Sequence, residues 1–336
     1  MVRPSRAPLG ALAVGTFLVV SIIGATDSQA SCGSANCFLI TGTQEVMNNP
    51  GEVTLDFSFR YIPQDKMLSG TKSVDEVLVP KVDFENQIIE PDHHSEISTE
   101  NLLFNATFGI GITKRVSMGI ELPLFQDRQH EHIDDFGTPD AEFTNGDGTT
   151  GFGDVRISAR VAVVTGIKNL LIISEGMKFP TGPYKLLDTE GDINEPTIQP
   201  GTGSWDPFIQ VYYDHQVVPN RWDYFLSGAY TWRTENPLNY DFGNQTLLNA
   251  GFRFSPNNRL VLSLQLNGQF SPHDFYNDQM VASTGSYQVA LTPGLLVTGA
   301  SGFGFYTYVA VPVYQDVNEA QLAARTAFEL GISMTF

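Results

Sequence analysis

Segment after segment of this chain alternates apolar and polar residues with a period of two, and this habit restricts its folds more than any other feature. In EVTLDFSFRYI (52–62), Val53, Leu55, Phe57, Phe59 and Tyr61 share one side, and Thr54, Asp56, Ser58 and Arg60 the other. The closing FELGISMTF sets Phe328, Leu330, Ile332, Met334 and Phe336 against Glu329, Gly331, Ser333 and Thr335. Successive side chains of a strand point to opposite faces, so the pattern predicts strands with one greasy and one polar face. Beyond the N-terminus no apolar run approaches the ~18 residues that a membrane helix requires.

The alternation recurs at 52–62, 101–112, 116–125, 151–164, 170–180, 205–217, 222–233, 246–254, 260–270, 286–293, 303–314 and 322–336. About twelve strands are therefore expected, within 10–14, with poor phase at 170–180 and 303–314. Connections alternate in length. Short ones fall at 113–115, 165–169, 218–221, 255–259 and 294–302; long ones fall at 63–100, 126–150, 181–204, 234–245, 271–285 and 315–321. The long connections hold most of the 37 Asp and Glu residues and few of the 19 Lys and Arg. Charges within the strands fall opposite the apolar rows. Trp205, Tyr230 and Trp232 gather toward the long-loop end and Tyr213, Trp222 and Phe336 toward the tight-turn end, as interfacial girdles do. These features predict an all-β chain forming one antiparallel transmembrane β-barrel, with short periplasmic turns and long acidic extracellular loops. A secreted β-sandwich explains neither the loop asymmetry nor the apolar row on nearly every strand.

The first 30 residues run from basic (Arg3, Arg6) through apolar (Leu9 to Ala25) to small (Ser28 to Ala30), which is the order of a secretory signal peptide. Residues 31–51 are then a periplasmic segment carrying Cys32 and Cys37, candidates for a small disulfide in an oxidising compartment, and 52–336 are the barrel. The location expected is the outer membrane of a Gram-negative bacterium. Its partners there are membrane lipid, lipopolysaccharide, the barrel-assembly machinery and a small solute. A net charge of -18 excludes nucleic acid, whose phosphates call for Lys and Arg.

Three central stretches, GFGDVRISAR (151–160), MKFPTG (177–182) and PGTGSWDPFIQVYY (200–213), resemble the outer-membrane transporter family associated with the MetA pathway of phenol degradation. The resemblance covers roughly 60 residues by motif and the rest by architecture. It implies a transporter-like barrel, and it does not make phenol the substrate. The terminal strand ending in Phe336, with Gly331 five residues before it, resembles the signal read by the assembly machinery.

Parity selects Arg60, Asp154, Arg156, Arg160, Lys178, Asp206, Arg233, Arg253, Arg325 and Glu329 as pore-lining candidates. Together with Asp56, Glu121, Asp214 and Asp223 on the same parity, their signs nearly balance, which suits either a self-compensating interior network or the selection of a small polar or amphipathic, including aromatic, solute. The function expected is passive passage of such a solute, the alternatives being a structural or adhesive barrel and, less favoured, a barrel-embedded lipid hydrolase. His215 and His273 stand near no nucleophile motif, so no catalytic residue and no cofactor is assigned. No metal site is assigned either; His93, His94, His130 and His132, spread over two loops beside acids, are weak candidates.

Overall fold

The computed structural model describes residues 47–75, 77–299 and 302–336. The expected signal peptide and the Cys32 and Cys37 pair lie outside the described residues. Twelve strands make a ring: β1 (Val53–Gly70), β2 (Ile88–Gly111), β3 (Val116–Asp134), β4 (Val155–Thr165), β5 (Asn169–Phe179), β6 (Asp206–Val218), β7 (Trp222–Thr231), β8 (Gln245–Asn257), β9 (Leu260–Ser271), β10 (Ser286–Thr298), β11 (Phe303–Ala324) and β12 (Ala327–Thr335). Each pairs antiparallel with its neighbour in sequence. The ring closes where β12 meets β1, from Thr54 opposite Thr335 to Tyr61 opposite Phe328. Closure leaves the ring no free edge, and this is what lets a sheet exist in hydrocarbon, where an unpaired peptide group costs several kcal/mol.

Alternation decides which residues meet which environment. Phe59, Phe108, Ile120, Phe252, Leu266 and Leu330 stand exposed on the outer wall, while Asp56, Arg60, Asn105, Asn249, Gln265 and Glu329 are buried within the cylinder. Such an inverted surface is stable only against lipid. Trp222, stacked on Phe254 with ring centroids 4.3 Å apart, marks the tight-turn end of the band; Tyr230–Trp232 and Phe179–Trp205 mark the other. From Trp222 to Trp232 β7 rises roughly 34 Å along its length at ~3.4 Å per residue, which a tilt of ~40° reduces to the roughly 25 Å of an outer-membrane apolar band. One charge breaks the expected parity. Glu175 sits exposed on the outward row of β5 between Ile173 and Met177.

The long connections 63–100, 126–150 and 315–321, expected as loops, are largely strand. β1 continues to Gly70, β2 begins at Ile88, and β3 continues to Asp134. A register shift between Gln64 and Lys66 interrupts the alternation, after which Met67 packs with Val79 and Ala320 in a core of its own. The strand Leu78–Asp83 pairs with the top of β2, where Asp83 faces Ile88. β11 pairs with β10 up to Val317 and with β1 from Val317 back to Ala324, so the chain reverses at Asn318–Glu319, with Glu319 at φ 46°. The opposite end keeps tight turns at 112–115, 166–168, 219–221 and 258–259.

Chain packs within both ends of the cylinder. At the long-loop end, short strands Tyr240–Asp241, Asp274–Tyr276 and Gln279–Val281 form a small separate sheet whose Tyr240, Tyr276 and Val281 pack with Phe242 and Val82. At the tight-turn end, Met47 packs against Ile172, Tyr212 and Phe225.

Candidate functional site

The three resembling motifs converge on one knot inside the wall. Asp154, just before β4, accepts hydrogen bonds from the backbone of Gly182 (3.0 Å) and of Thr202 (2.8 Å). Lys178 on β5 reaches Asp206 at 2.7 Å and Asp154 at 3.1 Å and also donates to Thr202 Oγ1 and Ser204. Gly182 and Gly201 lie so close that a Cβ on Gly201 would stand 2.5 Å from the Gly182 carbonyl oxygen. Only glycine permits that approach. The Phe-Pro-Thr-Gly and Pro-Gly-Thr-Gly-Ser segments are thus the two sides of a clasp, and the loop between them is thrown into the bore.

That loop carries a single 3-10 turn, Pro196–Ile198. The Arg128 guanidinium donates to the Thr197 carbonyl at 2.5 Å, and Thr149 Oγ1 donates to the Ile198 carbonyl. Gln199 is buried and donates to the carbonyls of Leu186 and Asn194. Arg128 is a site residue that sequence reasoning missed, because 126–150 read as an external loop; a lone base in a strongly acidic stretch was the available signal.

Beneath the loop lies a narrow chamber of about 60 Å³, open in part to solvent and lined by Arg60, Glu121, Arg128, Arg156, Lys178 and Arg233 among others. Most of its charges are paired. Arg60 bridges the closing seam to Glu329 at 2.8 Å. Arg156 lies 4.0 Å from Glu121 and over the Phe208 ring, 4.3 Å from its centroid. Arg233 stands over Phe242 at 5.7 Å, with a buried Nε that has no hydrogen-bond partner. The floor is a second network in which Arg253 pairs with Asp214 and with Asp223 (2.5 Å), donates to Tyr212 Oη at 3.0 Å, and covers Phe225 at 5.1 Å.

Of the other candidates, Arg160 lies near Gly119 lower on the wall. Arg325 does not join the interior group; it is 60 % exposed and pairs with Asp65 at the break before β12. His215 contacts Asn169 Oδ1 (2.8 Å) and His273 lies 3.1 Å from Glu319, a carboxylate at the outer tip.

The four loop histidines come together where β2 and β3 rise above the lipid band. His94 and His132 ring centroids are 5.1 Å apart, His130 and His132 5.0 Å, and His93 and His94 5.4 Å. Burial pulls the His94 proton off, yet Glu195 and Glu96 outweigh it and push the pKa up to about 10. Burial alone would raise Glu195, but His94 and its neighbours hold that carboxyl down at about 2. His93 and His132 are lowered, first by burial and then by neighbouring imidazoles.

No protein-family model and no curated protein matches the chain. Among solved structures, an outer membrane channel from Pseudomonas putida F1 aligns over 89 % of this chain and 100 % of its own, at 10 % identity and a TM-score of 0.61. The transport unit of the autotransporter AIDA-I from Escherichia coli aligns over 90 % of this chain and 95 % of its own (10 % identity, TM-score 0.48), and the Pseudomonas putida toluene transporter TodX over 92 % and 98 % (8 % identity, TM-score 0.42). At such low identity the first of these shows a shared fold.

Proposed function

We propose that the protein is an outer-membrane channel for the passive passage of small polar or amphipathic solutes, with the loop between Gly182 and Gly201 as its constriction. The chamber under that loop carries the reading. A barrel serving only as a wall or an adhesin has no need for a charged, partly open space at its centre, nor for an Arg233 whose buried Nε has no hydrogen-bond partner among the described residues. Guanidinium groups lying on Phe208 and Phe242 offer charge and an aromatic face side by side, which suits an amphipathic or aromatic solute. The motif resemblance to the MetA-associated transporter family supports the same reading.

The inward loop narrows the bore, so conduction is expected to depend on where that loop lies. In planar bilayers the purified barrel is expected to show low or intermittent conductance. Replacing residues 184–199 by a short Gly-Ser linker, which leaves the Asp154 clasp in place, is expected to give a steady open level and faster liposome swelling with small solutes. If neither form passes ions or solutes, the protein is a structural barrel.

A further inference from the structure

We infer that the outer rim of the cylinder carries a binding site for one divalent transition-metal ion, held by His94, Glu96 and His130, with Glu195 of the inward loop and His132 beside it. The site goes beyond transport and stands whether or not the barrel conducts. Strand register builds it. His94 and Glu96 are two apart on β2 and therefore share a face, as do His130 and His132 on β3. The ladder sets Glu96 opposite His132 and Thr99 opposite His130, so the His94–Glu96 pair of β2 and the His130–His132 pair of β3 face one point.

One ligand atom from each of His94, Glu96 and His130 falls within a 4.8 Å sphere of separations. Glu96 spans the gap, with one oxygen 3.6 Å from His94 Nε2 and the other 3.7 Å from His130 Nδ1. Ligand atoms ~2.0–2.1 Å from a tetrahedral zinc ion lie about 3.4 Å apart, so a small contraction completes the site. His94 is 3 % exposed, and its Nε2 lies 3.1 Å from Glu195 Oε1 and 3.6 Å from a Glu96 oxygen. A buried imidazole nitrogen set between two carboxylates is the donor arrangement that a transition-metal ion takes. Glu96, His130 and Glu195 also line a partly open cavity of about 70 Å³, room enough for an ion to enter.

Imidazole nitrogen with a carboxylate selects zinc, nickel, cobalt or copper over calcium and magnesium, which prefer all-oxygen shells. With Glu195 in reach, a bound ion ties the constriction loop to the wall.

The test uses the full chain folded in detergent, stripped with chelator and with its cysteines alkylated so that Cys32 and Cys37 cannot bind metal. One equivalent of Zn²⁺ is expected to bind, uncontested by excess Ca²⁺ or Mg²⁺. His94→Ala with His130→Ala is expected to weaken binding by on the order of 100-fold, and Glu195→Gln by about 10-fold, the range seen when supporting groups are lost. His215→Ala and His273→Ala leave it unchanged. Should the double variant misfold, Cu²⁺ bound to the wild-type chain still reports through nitrogen hyperfine structure from imidazole. No stoichiometric binding, equal competition by Ca²⁺, binding that survives the double variant, or a copper spectrum without nitrogen coupling each overturns the site and leaves His94 a proton-bearing partner of Glu195.

Discussion

Gly331 shows how one residue serves both the wall and the bore. It faces Tyr306 across the β11–β12 ladder, and a Cβ there would stand 2.1 Å from the tyrosine ring, whose hydroxyl donates to Asp56 at 2.9 Å. The sequence marks Gly331 only as part of a terminal pattern, because Tyr306 and Tyr308 point inward from a strand whose outward row is also aromatic, at Phe303 and Phe305. That inward pair is what blurred the phase of 303–314. Gly331→Val is expected to displace the ring and lower stability by about 1–3 kcal/mol through overpacking, measured by urea unfolding followed by tryptophan fluorescence. Lys178→Met tests the clasp in the same assay. It leaves Asp154 and Asp206 buried without their cation and is expected to lose about 3–5 kcal/mol, while adding Asp206→Asn restores part of the loss. The three motifs were legible as residues; that they clasp one loop was not, since 20 residues separate Gly182 from Thr202 and only the fold closes the distance.

At the scale of the strand, the lipid-spanning halves were readable because one row must be apolar, and their extensions were not because above the bilayer that demand ends. In β1 the outward row stays apolar to Tyr61 and then gives way to Pro63, Asp65 and Lys66, while beyond the register shift Met67 and Leu68 are both buried, in two separate clusters. Composition there looks like a loop although the ladder continues. A single cysteine at Phe59 is expected to react with a membrane-partitioning probe and not with a charged maleimide; one at Lys66 is expected to show the reverse in intact cells. Equal labelling of both would place the bilayer edge elsewhere. The loop histidines belong to these extensions. Their alternation with acids was visible, but the β2–β3 register that unites them requires knowing that both segments are strand.

The whole molecule sets a nearly balanced interior beneath a strongly acidic rim. Arg60 with Glu329, Arg156 with Glu121, and Lys178 with Asp154 and Asp206 cancel most of the chamber's charge. Asp75, Glu85, Asp92, Asp135, Asp140 and Glu190 stand exposed at the long-loop end. Paired charges give a passing ion little preference, so selectivity falls to the rim, which concentrates cations in proportion to its unscreened potential. The Debye length is about 10 Å at 0.1 M salt and about 3 Å at 1 M, so rim charges act across the mouth only when salt is low. Reversal potentials across a KCl gradient are therefore expected to show cation preference near 0.1 M and almost none near 1 M. Neutralising Asp135, Asp140 and Glu190 together should remove the low-salt preference without changing conductance at 1 M. A preference that persists at high salt would move the selecting charges to the chamber's carboxylates, where low dielectric protects them from screening, and Glu121→Gln would then be the substitution that weakens it.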